Sequence, residues 1–226
     1  MVIGSALLAI AALTAWGAWL GGPGSWLCTW VAINALVCAM AYFARWPQMM
    51  GKGVDGVVPW WRSLLLGPFV VFTALMGVAK VWFGREPVCH EVAPGVYVGR
   101  RCQPRELPAD VEVVVDLTCE RTEPKGLRSR AEYHTLPTLD GTAPEPRAYR
   151  TLLSKLRSET RPIYIHCAMG HSRAATVAAG LLIARGMVHS ADAAESLMKA
   201  VRPKVHFTRK QRQLVEHYAA LCRATD

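Results

Sequence analysis

Charge is unevenly missing from this 226-residue chain. Asp and Glu number 17 against 26 Lys and Arg, a formal balance of +9. From Val2 to Leu20 there is no charged side chain at all, and none again from Trp26 to Ala44, where Arg45 ends the run. A third apolar stretch, Leu64 to Ala79, continues past Lys80 through Val81-Trp82-Phe83. The chain also lacks any C-x-x-C pair, its seven cysteines are an odd number, and Cys28 and Cys38 sit in apolar runs. That pattern argues against a disulfide framework and against a structural zinc site. Cys89, Cys102, Cys119 and Cys222 therefore read as ordinary small buried or half-buried residues. No aromatic-interleaved basic stripe is present, so the positive balance does not indicate nucleic acid. A surface lying against anionic lipid explains it at least as well, with plain surface solvation as the alternative.

What is present is concentrated in seven residues, Cys167-Ala168-Met169-Gly170-His171-Ser172-Arg173, with His166 directly before them. Pro162 to His166 reads as a short strand, and Ala174 to Arg185 as an Ala- and Leu-rich helix. A loop closing onto a helix N-terminus turns several backbone N–H groups toward one point, which favours a dianion. The same dipoles, with Arg173, favour the thiolate of a cysteine held there. Arg173 is poorly explained as a plain helix-start residue, because that end of a helix repels cations. As a planar fork it can clamp two oxygens of one phosphate, which a lysine cannot copy. Gly170 is expected to permit close backbone approach to the phosphate. An isolated cysteine is as often an inert core residue, but Cys167 shares its loop with Gly170 and Arg173. Neighbouring positions on a strand face opposite ways, so His166 does not serve as a base for Cys167 and is expected to hydrogen-bond the loop backbone from behind.

His-Cys-x5-Arg is the pattern of the cysteine-dependent protein tyrosine phosphatase superfamily, and its surroundings resemble the small dual-specificity branch. Gly95-Val96-Tyr97-Val98-Gly99 resembles the opening strand of those domains. Val111 to Leu117, ending Asp116-Leu117-Thr118, resembles their central strand. Leu136-Pro137-Thr138-Leu139-Asp140 is similar to the segment carrying the general acid, and Val201-Arg202-Pro203 with Phe207 and Gln213-Leu214 to the closing stretch. These ordered matches span roughly residues 88–222. The resemblance implies Cys167 as nucleophile, Arg173 as phosphate clamp, Asp140 as acid and then base, and no metal or other cofactor. It also implies that His166 helps keep the thiolate charged, and that His171 faces outward, touching substrate or simply solvated. Asp140-Gly141 alone would be an ordinary turn pair. Asp116 is the competing acid, although the resemblance puts it away from the chemistry. One position departs from the family: Ala174 follows the arginine, where a Ser or Thr hydroxyl usually assists the cysteine as leaving group. Ser172 cannot be assumed to replace it, so a slow second step or an unusual substrate is expected.

Around this centre, Val96 to Val98 and Val111 to Val115 read as strands. Glu86 to Ala93 reads as a connector, Arg121 to Arg130 as loop or short irregular helix, and Thr138 to Pro146 as loop. Arg147 to Leu156, Ser190 to Ala200 and Thr208 to Leu221 read as helices. The fold class expected is α/β, with a mainly parallel central sheet flanked by helices and a ligand crevice at the carboxyl ends of the strands. An all-α transmembrane region precedes it: residues 1–84 with about three transmembrane helices, then the catalytic domain at 86–226. Each apolar run is near the ~20 residues that span a bilayer as helix. Trp60, Trp61 and Trp82 suit the interface, Lys80 can snorkel, and Gly67-Pro68 is tolerated in lipid. The first run lacks the basic n-region of a signal peptide, and a re-entrant third helix is the alternative to a full span.

Orientation has arguments on both sides. Arg45, Lys52 and Arg62 against Asp55 favour a cytoplasmic link and hence export of the domain. Lys80, Arg85, Arg100 and Arg101, and the survival of a thiolate in a reducing compartment, favour a multi-pass protein with its catalytic domain in the cytoplasm. Two substrates fit, a phosphoprotein or a lipid phosphomonoester such as phosphatidylglycerophosphate, which a mitochondrial branch of the superfamily hydrolyses. The cradle carries no lysine, which disfavours highly phosphorylated inositol headgroups. A catalytically weak protein that binds phosphorylated ligands is the non-enzyme reading, with Ala174 as its sign. The expected partners are thus a phosphomonoester and membrane lipids, with no nucleic acid.

Overall fold

The computed structural model describes residues 2–84 and 86–224; the side chains of residues 80, 81, 83 and 84 fall outside the description, and with them the snorkelling expected of Lys80. Two compact units divide the chain, the first comprising Met1–Gly53, Val57–Arg85 and Cys119–Thr122, the second Val54–Gly56, Glu86–Thr118 and Glu123–Asp226.

The first unit is helical. Helices α1 (Val2–Trp19) and α2 (Ser25–Ala44) form a hairpin, turned by Gly21 and Gly22 at φ 77° and 109°, a region L side chains rarely enter. By length and composition both are able to cross a membrane. A single 3₁₀ turn, Pro47–Met50, follows, and then α3 (Trp60–Leu65) and α4 (Gly67–Gly84). The third apolar run is therefore not continuous: it breaks at Leu66, because Pro68 supplies no N–H and its ring crowds the carbonyl four residues back. The buried Asn34 of α2 donates its side-chain amide to the Leu65 carbonyl at 3.2 Å, satisfying one group the break exposes. The described apolar part of α4, Gly67–Ala79, is shorter than α1 or α2.

The second unit is α/β. Five strands, β1 (Cys89–Ala93), β2 (Val96–Arg100), β3 (Val113–Asp116), β4 (Glu132–Thr135) and β5 (Ile163–Cys167), lie in the order β1-β2-β5-β3-β4. The β1–β2 pair is antiparallel and the other three pairings are parallel. Two strands escape the sequence reading, and both are polar edge strands. The connector Glu86 to Ala93 ends in β1, where His90 and Glu91 interrupt the apolar signal. β4 is the four-residue Glu-Tyr-His-Thr, recognisable only once β3 is beside it.

Central β5 is buried along its whole length. Ile163, Ile165 and Cys167 join one core with α6 (Pro146–Arg157), α7 (Arg173–Ala184) and α9 (Arg209–Arg223). Tyr164 points to the other face, with Cys102, Leu107, Val114 and Leu127, the last from the short helix α5 (Lys125–Arg130). Helix α6 buries Tyr149, Leu152, Leu153 and Leu156 on one stripe, the 3.6-residue period expected from its sequence. Helix α7 is buried on every side, which its small Ala residues permit. The α8 helix (Ala191–Val201) starts at the Ser190 cap and α9 at a Thr208–Gln211 capping box. The parallel strands β2, β3, β4 and β5 all end on one side of the sheet.

Candidate active site

Cys167 is the last residue of β5, 3% exposed, and its Sγ accepts the Gly170 N–H at 3.2 Å. The loop turns back at Gly170, whose φ is 71°. A Cβ there would lie 2.3 Å from the Gly99 carbonyl carbon and oxygen and 2.8 Å from Arg100 N. The glycine is needed where the loop packs against the end of β2. On the same β2 end, Arg101 N–H reaches the Ala168 carbonyl at 3.4 Å.

Ser172 precedes α7 and Arg173 is its first residue. The Arg173 side chain is 1% exposed, donates from Nη1 to the Thr138 carbonyl at 2.8 Å, and has Nε 3.2 Å from Asp140 Oδ1. Asp140 itself is two-thirds exposed and sits on a turn completed by Gly141 at φ 70°, with Thr142 N–H and Oγ1 both bonded to the Leu139 carbonyl. The structure thus brings Cys167, Arg173 and Asp140 to one end of the sheet. Asp116, the competing acid, is fully buried: Oδ1 accepts from Thr118 N–H and Oγ1, and Oδ2 from the Tyr133 hydroxyl, each at 2.7 Å.

His166 lies on the opposite face from Cys167, stacked on Tyr164 at 5.5 Å between ring centroids. Its Nε2 faces Glu123 Oε1 at 3.6 Å and Asp116 Oδ1 at 3.9 Å, two carboxylates in place of the backbone partner the sequence suggests. Asp116, Glu123 and His166 present ligand atoms within 4.8 Å of one another and are the one group of metal-type donors among the described residues. Both Asp116 oxygens are engaged as above, and Glu123 Oε2 is held by Arg101 Nε at 3.2 Å. That makes the cluster an interior ion-pair and hydrogen-bond group behind the loop.

The hydroxyl missing at Ala174 is not supplied by its neighbour. Ser172 Oγ donates to Gln211 Oε1 at 2.7 Å, and Ala174 is fully buried. Gln211, itself fully buried, also accepts Thr208 N–H at 2.8 Å and donates to the Thr142 carbonyl at 2.7 Å. It therefore ties the turn bearing Asp140 to the phosphate loop. Gln213 of the closing stretch is exposed; the signal in the sequence for Gln211 is the Thr-x-x-Gln spacing of a capping box.

His171 is neither on open solvent nor aimed freely outward. Its Nε2 pairs with Glu86 at 2.7 Å, and burial pushes its pKa below the ordinary value against the opposing pull of that carboxylate. Buried Arg202 donates to the Gly170 and Met169 carbonyls at 2.9 Å each, supporting the loop from outside. It also reaches His90 Nδ1 at 3.1 Å, which must accept, since a guanidinium only donates. Burial and Arg202 hold that imidazole below its usual pKa, consistent with the neutral acceptor. Burial pushes the Cys102 thiol up to about 11 and raises that of Cys89, as befits packing residues.

A strand-loop-helix cradle with Cys and Arg six positions apart, on a sheet of this order, defines a cysteine-dependent phosphatase domain. The family described as "PTP-SAK: Swiss Army Knife protein, DSP-PTPase phosphatase domain" matches residues 98–218, more than half of the chain, and the chain belongs to it. It is a cysteine-based phosphoric monoester hydrolase of the dual-specificity and tyrosine phosphatase branch. Among curated proteins none matches it. Similar solved structures include PTPMT1 in complex with PI(5)P, at 19% identity and a TM-score of 0.54, covering 61% of this chain and 98% of that one. Tk-PTP in its active form is 23% identical, with a TM-score of 0.53 over 59% of this chain and 97% of that one. The human tyrosine phosphatase-like serine/threonine/tyrosine-interacting protein is 13% identical, with a TM-score of 0.53 over 60% and 98%. At these identities the likeness is one of fold.

Proposed function

We propose that the chain is a membrane-anchored phosphatase of a simple lipid phosphomonoester, such as phosphatidylglycerophosphate, working through a cysteinyl-phosphate. Residues 1–84 are its membrane region, crossing about three times, and the catalytic domain that follows faces the cytoplasm. Cys167 attacks phosphorus in line and the bond to the leaving oxygen breaks. Arg173 clamps two nonbridging oxygens and holds the charge of the transition state. Asp140 protonates the leaving oxygen and then takes a proton from the water that hydrolyses the phosphoenzyme. Thiolate, guanidinium and loop amides carry the charge. The observation that carries these roles is the contact of the exposed Asp140 carboxylate with the buried Arg173 guanidinium, 3.2 Å apart at the mouth of the loop.

Support for a lipid comes from α1 and α2, apolar and long enough to span. Anchoring confines enzyme and lipid to one surface layer and raises their effective concentration. PTPMT1, similar in fold, has been crystallised with a phosphoinositide, PI(5)P. The alternative is an anchored protein phosphatase. The test compares the full-length protein in mixed micelles with a chain starting at Glu86. Full-length protein should favour phosphatidylglycerophosphate over phosphotyrosine peptides in kcat/KM, and the shortened chain should lose much of that preference while still cleaving an aryl phosphate. Higher kcat/KM on peptides than on every lipid, in both forms, would replace the lipid reading with the protein one. The weak-enzyme reading, motivated by Ala174, falls if the wild type turns over repeatedly on any of these.

A further inference from the structure

Glu86 opens the second unit and is gripped by three basic groups that belong to the phosphate loop or brace it. Its Oε2 lies 2.7 Å from His171 Nε2 and 3.5 Å from Lys204 Nζ, and its Oε1 is 3.4 Å from an Arg202 terminal nitrogen. His171 is four residues past Cys167 within the loop itself, and its carbonyl accepts the His206 N–H at 3.0 Å. Arg202 is fixed by two loop carbonyls, so its charge cannot drift away. The Lys204 side chain is half exposed and open to a ligand. Burial alone would push the Glu86 carboxyl up; the His171 hydrogen bond and the charges of Arg202 and Lys204 outweigh it and hold the group below its ordinary value.

Two permanent cations and an imidazole around one carboxylate are more than a strut requires. Glu86 also fills the place incompletely. Its Oε1 is buried and makes no hydrogen bond among the described residues, where a phosphate would offer more oxygens in the same volume. We infer that His171, Arg202 and Lys204 form a second anion subsite beside the catalytic cradle, occupied at rest by Glu86, which takes a further phosphate of the substrate joined to the scissile one by a short linker. The inference rests on Cys167–Arg173 being the catalytic cradle and deepens the proposed substrate class: a headgroup phosphomonoester of a glycerophospholipid carries such a second anion in its phosphodiester. Glu86 then acts as an internal competitor that a one-phosphate ligand leaves in place and a two-phosphate ligand displaces.

The experiment measures inhibition of p-nitrophenyl phosphate hydrolysis by full-length protein in detergent, using two headgroup analogues without acyl chains. Glycerol 3-phosphate offers one phosphate and glycerol 1,3-bisphosphate two. The quantity read is the ratio of their inhibition constants in wild type, Glu86→Gln and Lys204→Ala. Glu86→Gln keeps a hydrogen-bonding side chain of the same shape and removes the competing charge, so the preference for the bisphosphate should rise about fivefold. Lys204→Ala should lower it about fivefold, the size expected of one half-exposed charge contact. An unchanged ratio in both variants, or equal weakening of both inhibitors by Glu86→Gln, would make Glu86 a brace of the loop and overturn the subsite. Because neither probe is a lipid, the result is independent of whether lipid or phosphopeptide is the better substrate. A failed cradle would show itself separately, as wild-type protein without aryl phosphatase activity.

Discussion

The two units of this chain solve opposite solvation problems. The helical unit leaves many of its large apolar residues outside, Leu13 at 73% and Val71 at 57% exposure, and buries the polar Asn34, which bonds to a broken helix. The α/β unit keeps Leu153, Ile163 and Ile165 wholly inside and spends its buried charges, Arg173, Arg202, Asp116 and Glu123, around one loop. In lipid the costly object is an unsatisfied backbone group, and in water it is exposed apolar surface. With the proposed membrane anchoring, one chain carries two opposite rules for what belongs inside.

Lesions in one unit should leave the property of the other intact. The largest effect is expected from Cys167→Ser, which should lower aryl phosphate hydrolysis by on the order of 10³-fold or more while substrate binding and detergent extraction stay as in wild type. Retained activity, or loss of membrane attachment, would break the division of labour. Next, Asp140→Asn should cost roughly 10²- to 10³-fold in kcat, with the loss growing as the leaving group becomes more basic. A loss independent of the leaving group would remove Asp140 from the acid's role.

The contrast in solvent is sharpened by making one change in both places. Leu153→Ala should destabilise the α/β unit by about 2–5 kcal/mol in denaturant unfolding. Leu13→Ala on the exposed face of α1 should cost under about 0.5 kcal/mol there, whereas Leu13→Arg should impair membrane insertion by about 3 kcal/mol. Equal unfolding costs for the two alanines would mean that α1 is an ordinary core helix. The smallest effect concerns Ala174. Acid quenching should trap phosphoenzyme with a burst of leaving group, and Ala174→Ser should shrink it and raise turnover by a few-fold. Because Ala174 is fully buried, the serine variant also needs its unfolding midpoint measured. No burst and no gain would show that the missing hydroxyl is without kinetic consequence.

Much of the α/β unit was legible because its signals are local. The β-branched run at Val113 to Val115, the stripe of α6 and the Cys-x5-Arg loop each declare themselves within a dozen residues. The caps at Ser190 and Thr208 do as well. The misses share another physics. β1 and β4 are polar edge strands defined by their partners, and the break at Leu66 turns on one proline inside a run that hydropathy reads as continuous. Around the site, Glu86, Glu123 and Arg202 make contacts at separations of 43 to 115 residues, and no spacing rule reaches that far. Gly170 was legible as a position that needs backbone freedom, but its packing against the end of β2 joins residues far apart in sequence.

The Gln211 bridge has a consequence for timing. A turn fastened at Thr142 to the same side chain that holds Ser172 has no distance to travel between cycles. With Asp140 as the proposed acid, the fastened turn is expected to leave bond making and breaking, not a gate, to set the rate. Turnover should then be indifferent to the thickness of the medium: raising viscosity with sucrose or glycerol leaves kcat on a soluble aryl phosphate unchanged, whereas Gln211→Ala, by releasing the turn, lowers kcat and makes it viscosity-dependent. A wild-type enzyme that slows in proportion to viscosity would mean the bridge opens on every cycle.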